Sequence, residues 1–185
     1  MKPYNNARIL LHACCAPCST VAIEKLADQK PVIFWYNPNI EPRAEHDKRL
    51  ATLKDFAKHA KLTLVISDDY ELDNKKWHSF VKSLEEEKEG GKRCERCFLF
   101  RLQETARASK KNGYDYFTTS LTVSPYKNSN AVNAAGGNAE KENAIPFLEM
   151  DLKKQDGYKR SIELSKGYNL YRQSYCGCRY SNKDN

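Results

Sequence analysis

A chain of 185 residues, 40% of them apolar and 30% charged, is long enough for one domain with a sizeable hydrophobic core. Its longest apolar runs, such as VIFWY at 32–36, are too short to cross a bilayer, so we expect no membrane association. No cationic stretch leads into a long apolar segment near residue 1. We therefore expect a cytoplasmic protein.

The formal net charge of +7 fits a polyanionic partner such as nucleic acid. Part of the excess lies in residues 151–185, which hold eight Lys and Arg, four Asp and Glu, and five interleaved tyrosines. Tyrosines among cations are the residues that stack on unpaired bases. A solvated tail that packs through its tyrosines fits the same pattern.

Apolar runs and helical periodicities alternate along the chain. In chain order, we predict a strand at 7–11, a helix from Ser19 or Thr20 to about Gln29, a strand at 32–36, and a helix from Pro42 to His59. There follow a strand at 62–67, a helix at about 74–88, a long helix from about Cys94 closed by Gly113, and a strand at 114–121. We expect an ordered loop with one short helix at 122–139, a weak strand near 145–150, a helix near 159–166 and an irregular tail.

This alternation predicts an α/β fold, a Rossmann-like parallel sheet with helices on both faces, in a single domain over residues 1–185. Ligands of such sheets bind beyond the carboxyl ends of the strands. Cys14, Cys15 and Cys18 follow the first strand at that edge, where nucleotide-binding proteins of this architecture have a Gly-rich phosphate loop. The replacement of that loop by thiols is the main functional clue.

Seven cysteines occur in three groups, at 14, 15 and 18, at 94 and 97, and at 176 and 178. In a reducing compartment, clustered cysteines more often bind metal or carry out redox chemistry than form a disulfide framework. The number is odd, and cysteines one to three positions apart would close loops too small to constrain the unfolded chain. Metal binding and a reactive thiol both remain open for the first group.

Cys94 and Cys97 have the C-x2-C spacing that lets two thiolates face one ion. They fall at a helix start, where free N–H groups stabilise thiolates, and Arg93 and Arg96 add positive charge. Zinc would need four thiolates, for example those of Cys15, Cys18, Cys94 and Cys97, and would leave three cysteines unused. A [4Fe–4S] cluster also takes four thiolates and gives the others a redox role, so the pattern favours iron–sulfur and leaves zinc open.

Cys176 and Cys178 flank Gly177, whose backbone freedom permits a small, easily reduced disulfide ring. We interpret them as a redox-active pair, with metal ligation as the alternative. His12 is expected to be a hydrogen-bonded core histidine. Asp68 and Asp69 follow the third strand and are expected to cap a turn, a metal role being the alternative.

Six segments together resemble the epoxyqueuosine reductases of the QueH family, and the resemblance extends over residues 8–181. They are LLHACCAPCS, FWYNPNIEP, KRCERCFLFRLQETA, FTTSLTVSPYKN, DGYKRSIELSK and LYRQSYCGCRYS. The resemblance implies a cobalamin-independent enzyme that removes the epoxide oxygen from epoxyqueuosine at the tRNA wobble position and leaves queuosine and water. It also implies a sheet related to the adenine nucleotide alpha-hydrolases.

The family resemblance assigns roles to individual cysteines. Cys14, Cys15, Cys94 and Cys97 match the family's cluster ligands, and Cys176 and Cys178 match its redox-active pair. Cys18 belongs to the motif too, and three roles stay open for it: a ligand of a second iron, a substitute ligand of the cluster, or an electron shuttle. The number of iron centres stays open as well. The partners implied are a tRNA with a queuosine-type anticodon and an electron donor that the sequence does not identify.

Reduction of an epoxide to an alkene needs two electrons, protons and an acceptor for the oxygen. An iron with an open position can act as a Lewis acid, and a dithiol can store two electrons. We expect a substrate loop at the carboxyl end of the fourth strand to grip the RNA together with the basic C-terminal region. Its residues are Thr118, Thr119, Ser120, Ser124, Tyr126 and Lys127. A zinc-stabilised RNA-binding module and a metal-free thiol–disulfide oxidoreductase are the alternatives.

Overall fold

The computed structural model describes residues 4–67 and 69–181. The strands in this part of the chain are β1 (Ile9–His12), β2 (Val32–Trp35), β3 (Leu64–Ile66) and β4 (Tyr116–Thr119). The α-helices are α1 (Ala16–Lys25), α2 (Arg43–His59), α3 (Tyr70–Phe80), α4 (Lys92–Lys111), α5 (Ser129–Asn143) and α6 (Gly157–Gly167). Short 3-10 turns cover Ala27–Gln29, Leu121–Val123 and Arg179–Ser181.

The four strands form one parallel sheet in the order β3-β2-β1-β4. Strand β1 lies inside the sheet, where Leu11 pairs with Ile33 on one side and with Thr118 on the other. All four residues of β1 are buried because its edges are paired and both of its faces are covered. The carboxyl ends of all four strands therefore meet at one edge of the sheet.

Helices cover both faces of the sheet, as the alternating side chains of its strands require. On one face Leu10, Phe34 and Phe117 pack against Phe98 and Leu102 of α4 and against α5. On the other face Ile33 and Trp35 pack against Leu53 and Phe56 of α2. The α/β fold class predicted from the sequence is confirmed.

Helix α5 is longer than the sequence suggests, since 122–139 was expected to be an ordered loop with one short helix. The structure instead has a four-turn helix over Ser129–Asn143, which packs closely along α4. Its buried face consists mostly of small residues, including Ala135, Gly136 and Ala139. A Cβ atom at Gly136 would collide with the ring of Phe147, so the close packing needs glycine there. Such a face carries almost no hydrophobic periodicity, which explains the wrong prediction.

Three further predictions need correction. The N-cap of α1 is Cys15, not Ser19 or Thr20, so this helix begins within the cysteine motif. Helix α3 spans Tyr70–Phe80 rather than 74–88, because Asp69 accepts a hydrogen bond from Leu72 N–H and caps it earlier. The weak strand near 145–150 is an isolated parallel bridge between Phe117 and Phe147. In the described part of the chain, no helix is both long and apolar enough to span a membrane.

Candidate metal and redox centre

The first cysteine motif forms the turn between β1 and α1. Cys15 has extended backbone angles (φ −172°, ψ 163°), and its Sγ accepts a hydrogen bond from Cys18 N–H at 3.4 Å. A sulfur thus occupies the place of the usual hydroxyl or carboxylate cap, and Pro17 lies in the first helical turn, where its missing N–H costs nothing. The cap ties the sulfur of Cys15 to the positive end of the helix.

The three sulfurs of this turn lie together at the carboxyl edge of the sheet. The Sγ atoms of Cys14, Cys15 and Cys18 are all within 4.8 Å of one another, and those of Cys14 and Cys15 are 3.9 Å apart. Among residues 4–67 and 69–181, no other group of three His, Cys, Asp or Glu side chains is as compact. Cys14 and Cys15 are buried and Cys18 is partly exposed.

The thiols of this group share negative charge unequally. Hydrogen bonding to Cys15 and Cys18 holds the pKa of Cys14 well below its usual range. Burial raises the pKa of Cys15 to about 12, and the neighbouring Cys14 raises the pKa of Cys18 well above its ordinary value. The thiol of Cys14 is thus the most acidic of the three, and a bound cation would favour ionisation of all three.

Polar side chains from distant parts of the chain contact these sulfurs. Gln173 donates a hydrogen bond through Nε2 to Cys15 Sγ at 3.1 Å. Ser120, after β4, lies with its Oγ 3.7 Å from Cys14 Sγ and accepts a hydrogen bond from Cys14 N–H at 3.3 Å. These contacts orient both buried sulfurs.

The second motif lies in the first turns of α4. Cys94 Sγ accepts a hydrogen bond from Gly90 N–H at 3.2 Å, and its thiol is partly exposed. Cys97 is buried beside Cys178 and Trp77, and this burial raises its pKa to about 12. Neither cysteine belongs to the compact group formed by the first motif, so the four-ligand set inferred from the sequence stays a prediction.

The third motif brings Cys176 and Cys178 to different surroundings. Cys176 lines a cavity at the carboxyl edge of the sheet, which is described below. Cys178 is instead buried in an apolar cluster with Cys97, Trp77 and Val81. Gly177 between them has φ +130°, a conformation that side-chain-bearing residues rarely adopt. Both cysteines are free thiols in the structure.

Side chains of the region that begins α2 hold the third motif in place. Arg49 donates hydrogen bonds to the carbonyls of Cys176 (2.9 Å) and Tyr175 (3.3 Å), and its Nε pairs with Glu45 at 2.6 Å. Glu41 donates its N–H to the carbonyl of Gly177 at 2.8 Å. The Glu41 carboxylate also accepts hydrogen bonds from two further side chains, those of Arg179 and His78.

A cavity of about 570 Å³ opens at this edge of the sheet. Its wall includes Cys14, Cys18 and Cys176, together with Arg101 and Lys127. Burial favours the neutral amine of Lys127, but the sulfurs of Cys176, Cys14 and Cys18 outweigh it and raise the pKa of Lys127, which keeps it charged. The cavity combines thiols with fixed positive charge, and its volume suits a small polar ring system.

Aromatic and cationic side chains from two segments of the chain line the cavity. Tyr126 is 78% exposed beside Lys127, and Tyr158 and Arg172 contribute from the C-terminal region. The hydroxyls of Thr118 and Thr119 from the expected substrate loop point to other partners, Leu148 O and the His12 ring.

His12 and Asp69 behave as structural residues, as expected. His12 is fully buried, its ring contacts Thr119 Oγ1 at 2.9 Å and Tyr36 O at 3.3 Å, and burial lowers its pKa to about 3. Asp69 caps α3. Asp68 lies outside the described residues.

Several site residues were not singled out from the sequence, namely Glu41, Arg49, Arg101, Arg172 and Gln173. All except Arg49 lie within the six segments that carry the family resemblance. Their chemistry is visible only once the fold brings residues 37–49, 101 and 171–179 to one edge, so only their place in those segments could have pointed to them.

Comparisons with known proteins place this site in a family. The family model for Epoxyqueuosine reductase QueH matches residues 9–184. A QueH protein from Streptococcus pyogenes is 40% identical over 181 residues, which cover 95% of this chain and 70% of the relative. The QueH protein from Thermotoga maritima is 36% identical over 173 residues, 94% of this chain and 89% of the relative.

A solved structure of low sequence identity to this chain shares its fold. It is the U34-tRNA thiolase NcsA from Methanococcus maripaludis with its [4Fe-4S] cluster, which superposes with a TM-score of 0.58 at 14% identity. The match covers 96% of this chain and 62% of that one, so this chain spans less than two thirds of the thiolase. This likeness concerns the fold, whereas the family match rests on sequence over nearly the whole length. The chain belongs to the epoxyqueuosine reductase QueH family.

Proposed function

We propose that this protein carries out the reaction of its family, the reductive removal of the epoxide oxygen from epoxyqueuosine at the tRNA wobble position to give queuosine. The observation that carries the proposal is the compact group of Cys14, Cys15 and Cys18, of which Cys14 and Cys18 line a cavity that Cys176 also lines. Thiols at the bottom of a cationic cavity suit a redox reaction on a negatively charged polymer.

The donor set fits a [4Fe–4S] cofactor. Such a cluster needs thiolates, and five thiols from two motifs lie near this edge beside buried positive charge. Cys14, Cys15, Cys94 and Cys97 are the proposed ligands, and the position of Cys18 within the compact group makes it a competitor for one place. When bound, the cluster supplies single electrons to the cavity.

A zinc site is the second candidate, and one observation favours it. Zn–S bonds of about 2.3 Å in a tetrahedral site put two sulfurs roughly 3.8 Å apart. The 3.9 Å between Cys14 and Cys15 is close to this spacing. The family membership favours the redox cofactor instead, and metal analysis separates the two.

Cys176 and Cys178 are proposed to be the two-electron store. Oxidation of two thiols to one disulfide releases two electrons and two protons, which balance the conversion of an epoxide into an alkene and water. Cys176 lines the cavity and Cys178 lies behind it, so the first can face substrate while the second resolves the pair. A one-electron or thiol reductant must then restore the dithiol.

The substrate nucleoside is proposed to leave the anticodon loop and enter the 570 Å³ cavity. Tyr126 stands exposed at its rim, where it can stack on a neighbouring base, and Lys127 and Arg172 supply charge for phosphates. Binding should therefore weaken steeply with added salt.

The test is turnover by protein purified and assayed without oxygen. Wild-type protein with dithionite and a tRNA carrying epoxyqueuosine should yield a nucleoside lighter by one oxygen atom, detected by mass spectrometry after digestion of the RNA. Cys176→Ser and Cys178→Ser should keep the brown colour and lose multiple turnover. Wild-type protein with its full cofactor that leaves the epoxide intact would refute the proposal, and loss of colour in the variants would make these cysteines ligands instead.

A further inference from the structure

Three arginine side chains near the cysteines are at most 2% exposed, Arg49, Arg93 and Arg101. A buried charge is unfavourable unless a partner compensates it. Arg49 forms an ion pair with Glu45. Arg93 donates to the carbonyls of residues 84, 85 and 87 and stacks 4.7 Å from the ring of Tyr180.

Among the described residues, Arg101 is the least compensated of the three. Arg93 also has a buried Nε without a hydrogen-bond partner, but three carbonyls and the Tyr180 ring face its guanidinium. The Nη2 of Arg101 donates to the neutral amide oxygen of Asn37 at 2.6 Å, and the buried Nε of Arg101 has no hydrogen-bond partner. In residues 4–67 and 69–181, no carboxylate forms an ion pair with it. A full positive charge thus stands in the protein interior without a matching anion from the described residues.

The groups that can supply the missing negative charge are sulfurs. Arg101 lines the cavity with Cys14, and it follows Cys97 by one helical turn on α4. Arg101 therefore lies beside residues of both motifs that hold the proposed ligands. The hydrogen bond to Asn37 fixes the guanidinium at this position.

We infer that Arg101 is the fixed counter-charge of the cysteine-bound cofactor and that it sets the cofactor's reduction potential. This inference rests on the proposed function. Each electron that enters the cofactor adds negative charge, and a fixed cation in a low-dielectric site stabilises the reduced form more than the oxidised one. Arg101 therefore raises the reduction potential and makes the cofactor easier to reduce by a weak donor.

The experiment is a redox titration of the oxygen-free holoprotein followed by electron paramagnetic resonance. In Arg101→Gln, the reduced-to-oxidised ratio at a fixed ambient potential should fall about tenfold, which corresponds to ~59 mV for one electron. Arg101→Lys keeps the charge and should stay close to wild type. Arg107→Gln, an exposed arginine on the same helix that pairs with Glu104 at 3.5 Å, is the matched control and should not shift.

Each remaining outcome decides the question. An unchanged reduction potential in Arg101→Gln overturns the inference. If the KM for tRNA is raised at the same time, Arg101 is an RNA contact instead. If Arg101→Gln cannot hold iron, the Arg101→Lys variant decides between the two roles. Iron retained at the wild-type reduction potential supports the role of the charge. Loss of iron assigns Arg101 a structural role through Asn37. Wild-type protein without an iron–sulfur signal would refute the proposed function itself, before any variant is compared.

Discussion

Two cysteine segments reach the same cavity by different means, residues 13–18 after β1 and residues 175–181 near the C-terminus. The first is fixed by the backbone of the sheet, since Ala13 N–H donates to Phe34 O and Ser120 N–H donates to His12 O, both at 2.9 Å. The second has one short 3-10 turn, and apart from the backbone hydrogen bond from Glu41 N–H to Gly177 O it is held by side chains, chiefly those of Glu41 and Arg49.

This difference matches the roles proposed for the two segments. A cofactor site needs sulfurs at constant positions, and strands paired on both sides provide them. A dithiol that cycles through a disulfide must change its backbone geometry at each turnover, and a segment held by a few side chains can open locally at lower cost. We therefore call residues 13–18 the rigid segment and residues 175–181 the adaptable segment.

The largest expected effect comes from Cys15→Ser in the rigid segment. Cys15 both caps α1 and belongs to the compact thiol group, and a hydroxyl is a poor ligand for iron. We expect loss of iron, sulfide and visible absorbance, and no turnover. Cys178→Ser is the matched control in the adaptable segment and should retain iron, sulfide and visible absorbance. Equal loss of iron from both variants would contradict the assignment of different roles to the two segments.

The second effect concerns the backbone of the adaptable segment. In Gly177→Ala, the new Cβ atom would lie 2.9 Å from Arg49 Nη1 and 3.1 Å from Ile40 Cγ1, at φ +130°. We expect a loss of ~1–3 kcal/mol in the free energy of unfolding, with lower turnover and unchanged iron content. Gly137→Ala on α5 meets no atom within 4 Å and should be neutral or slightly stabilising in the same urea titration. Equal stability of both variants would show that the geometry at Gly177 is not constrained.

The pH dependence of stability in Glu41→Gln tests whether the Glu41 carboxylate holds the adaptable segment. Burial raises the pKa of Glu41, but hydrogen bonds from Arg179 and His78 outweigh it and leave the pKa below its ordinary 4.5. Because the folded-state pKa is lowered, the carboxylate stabilises the protein above about pH 4.5, and this contribution disappears as the pH falls through the lowered value. The variant should be ~1–2 kcal/mol less stable at pH 7, a value reduced by the exposure of Arg179.

The pH series checks this assignment by chemical denaturation. The stability gap between Glu41→Gln and wild type should narrow below pH 4.5. The exposed Glu86 provides the control, since Glu86→Gln should follow the wild-type curve throughout. A gap for Glu41→Gln that stays constant down to pH 3 would mean that the Glu41 charge does not hold the segment.

The smallest effect is expected for Tyr175→Phe. The Tyr175 hydroxyl donates a hydrogen bond to Glu41 O at 2.6 Å, and its loss should cost about 0.5–1.5 kcal/mol with iron content unchanged. Tyr168→Phe, on a residue that is 45% exposed, should leave the unfolding curve in place. A thermal unfolding experiment on the two variants and wild type distinguishes these outcomes.

The rigid region could be predicted from the sequence, because its signals are local. An apolar run, a turn and a helix placed the first thiols at the carboxyl edge, and the confirmed α/β fold supports that reasoning. The exact cap at Cys15 was missed because hydroxyl residues nearby are the more common caps. The family resemblance was also confirmed by the match over residues 9–184.

The adaptable region could not be predicted, because no local pattern encodes its contacts. Arg49 donates to the carbonyl of Cys176, which is 127 residues away in the sequence. Gln173 donates to the sulfur of Cys15, which is 158 residues away. Helix α5 was missed for another reason, since its packing depends on small residues such as Gly136 rather than on an apolar stripe. The individual roles of the seven cysteines stay predictions.

The most direct test of the account is the content of iron, acid-labile sulfide and zinc in protein purified without oxygen. If Cys14, Cys15 and their partners hold a [4Fe–4S] cofactor, each chain should contain four iron and four sulfide and little zinc. One zinc per chain with neither iron nor sulfide would contradict the account and assign the compact thiol group to a structural metal.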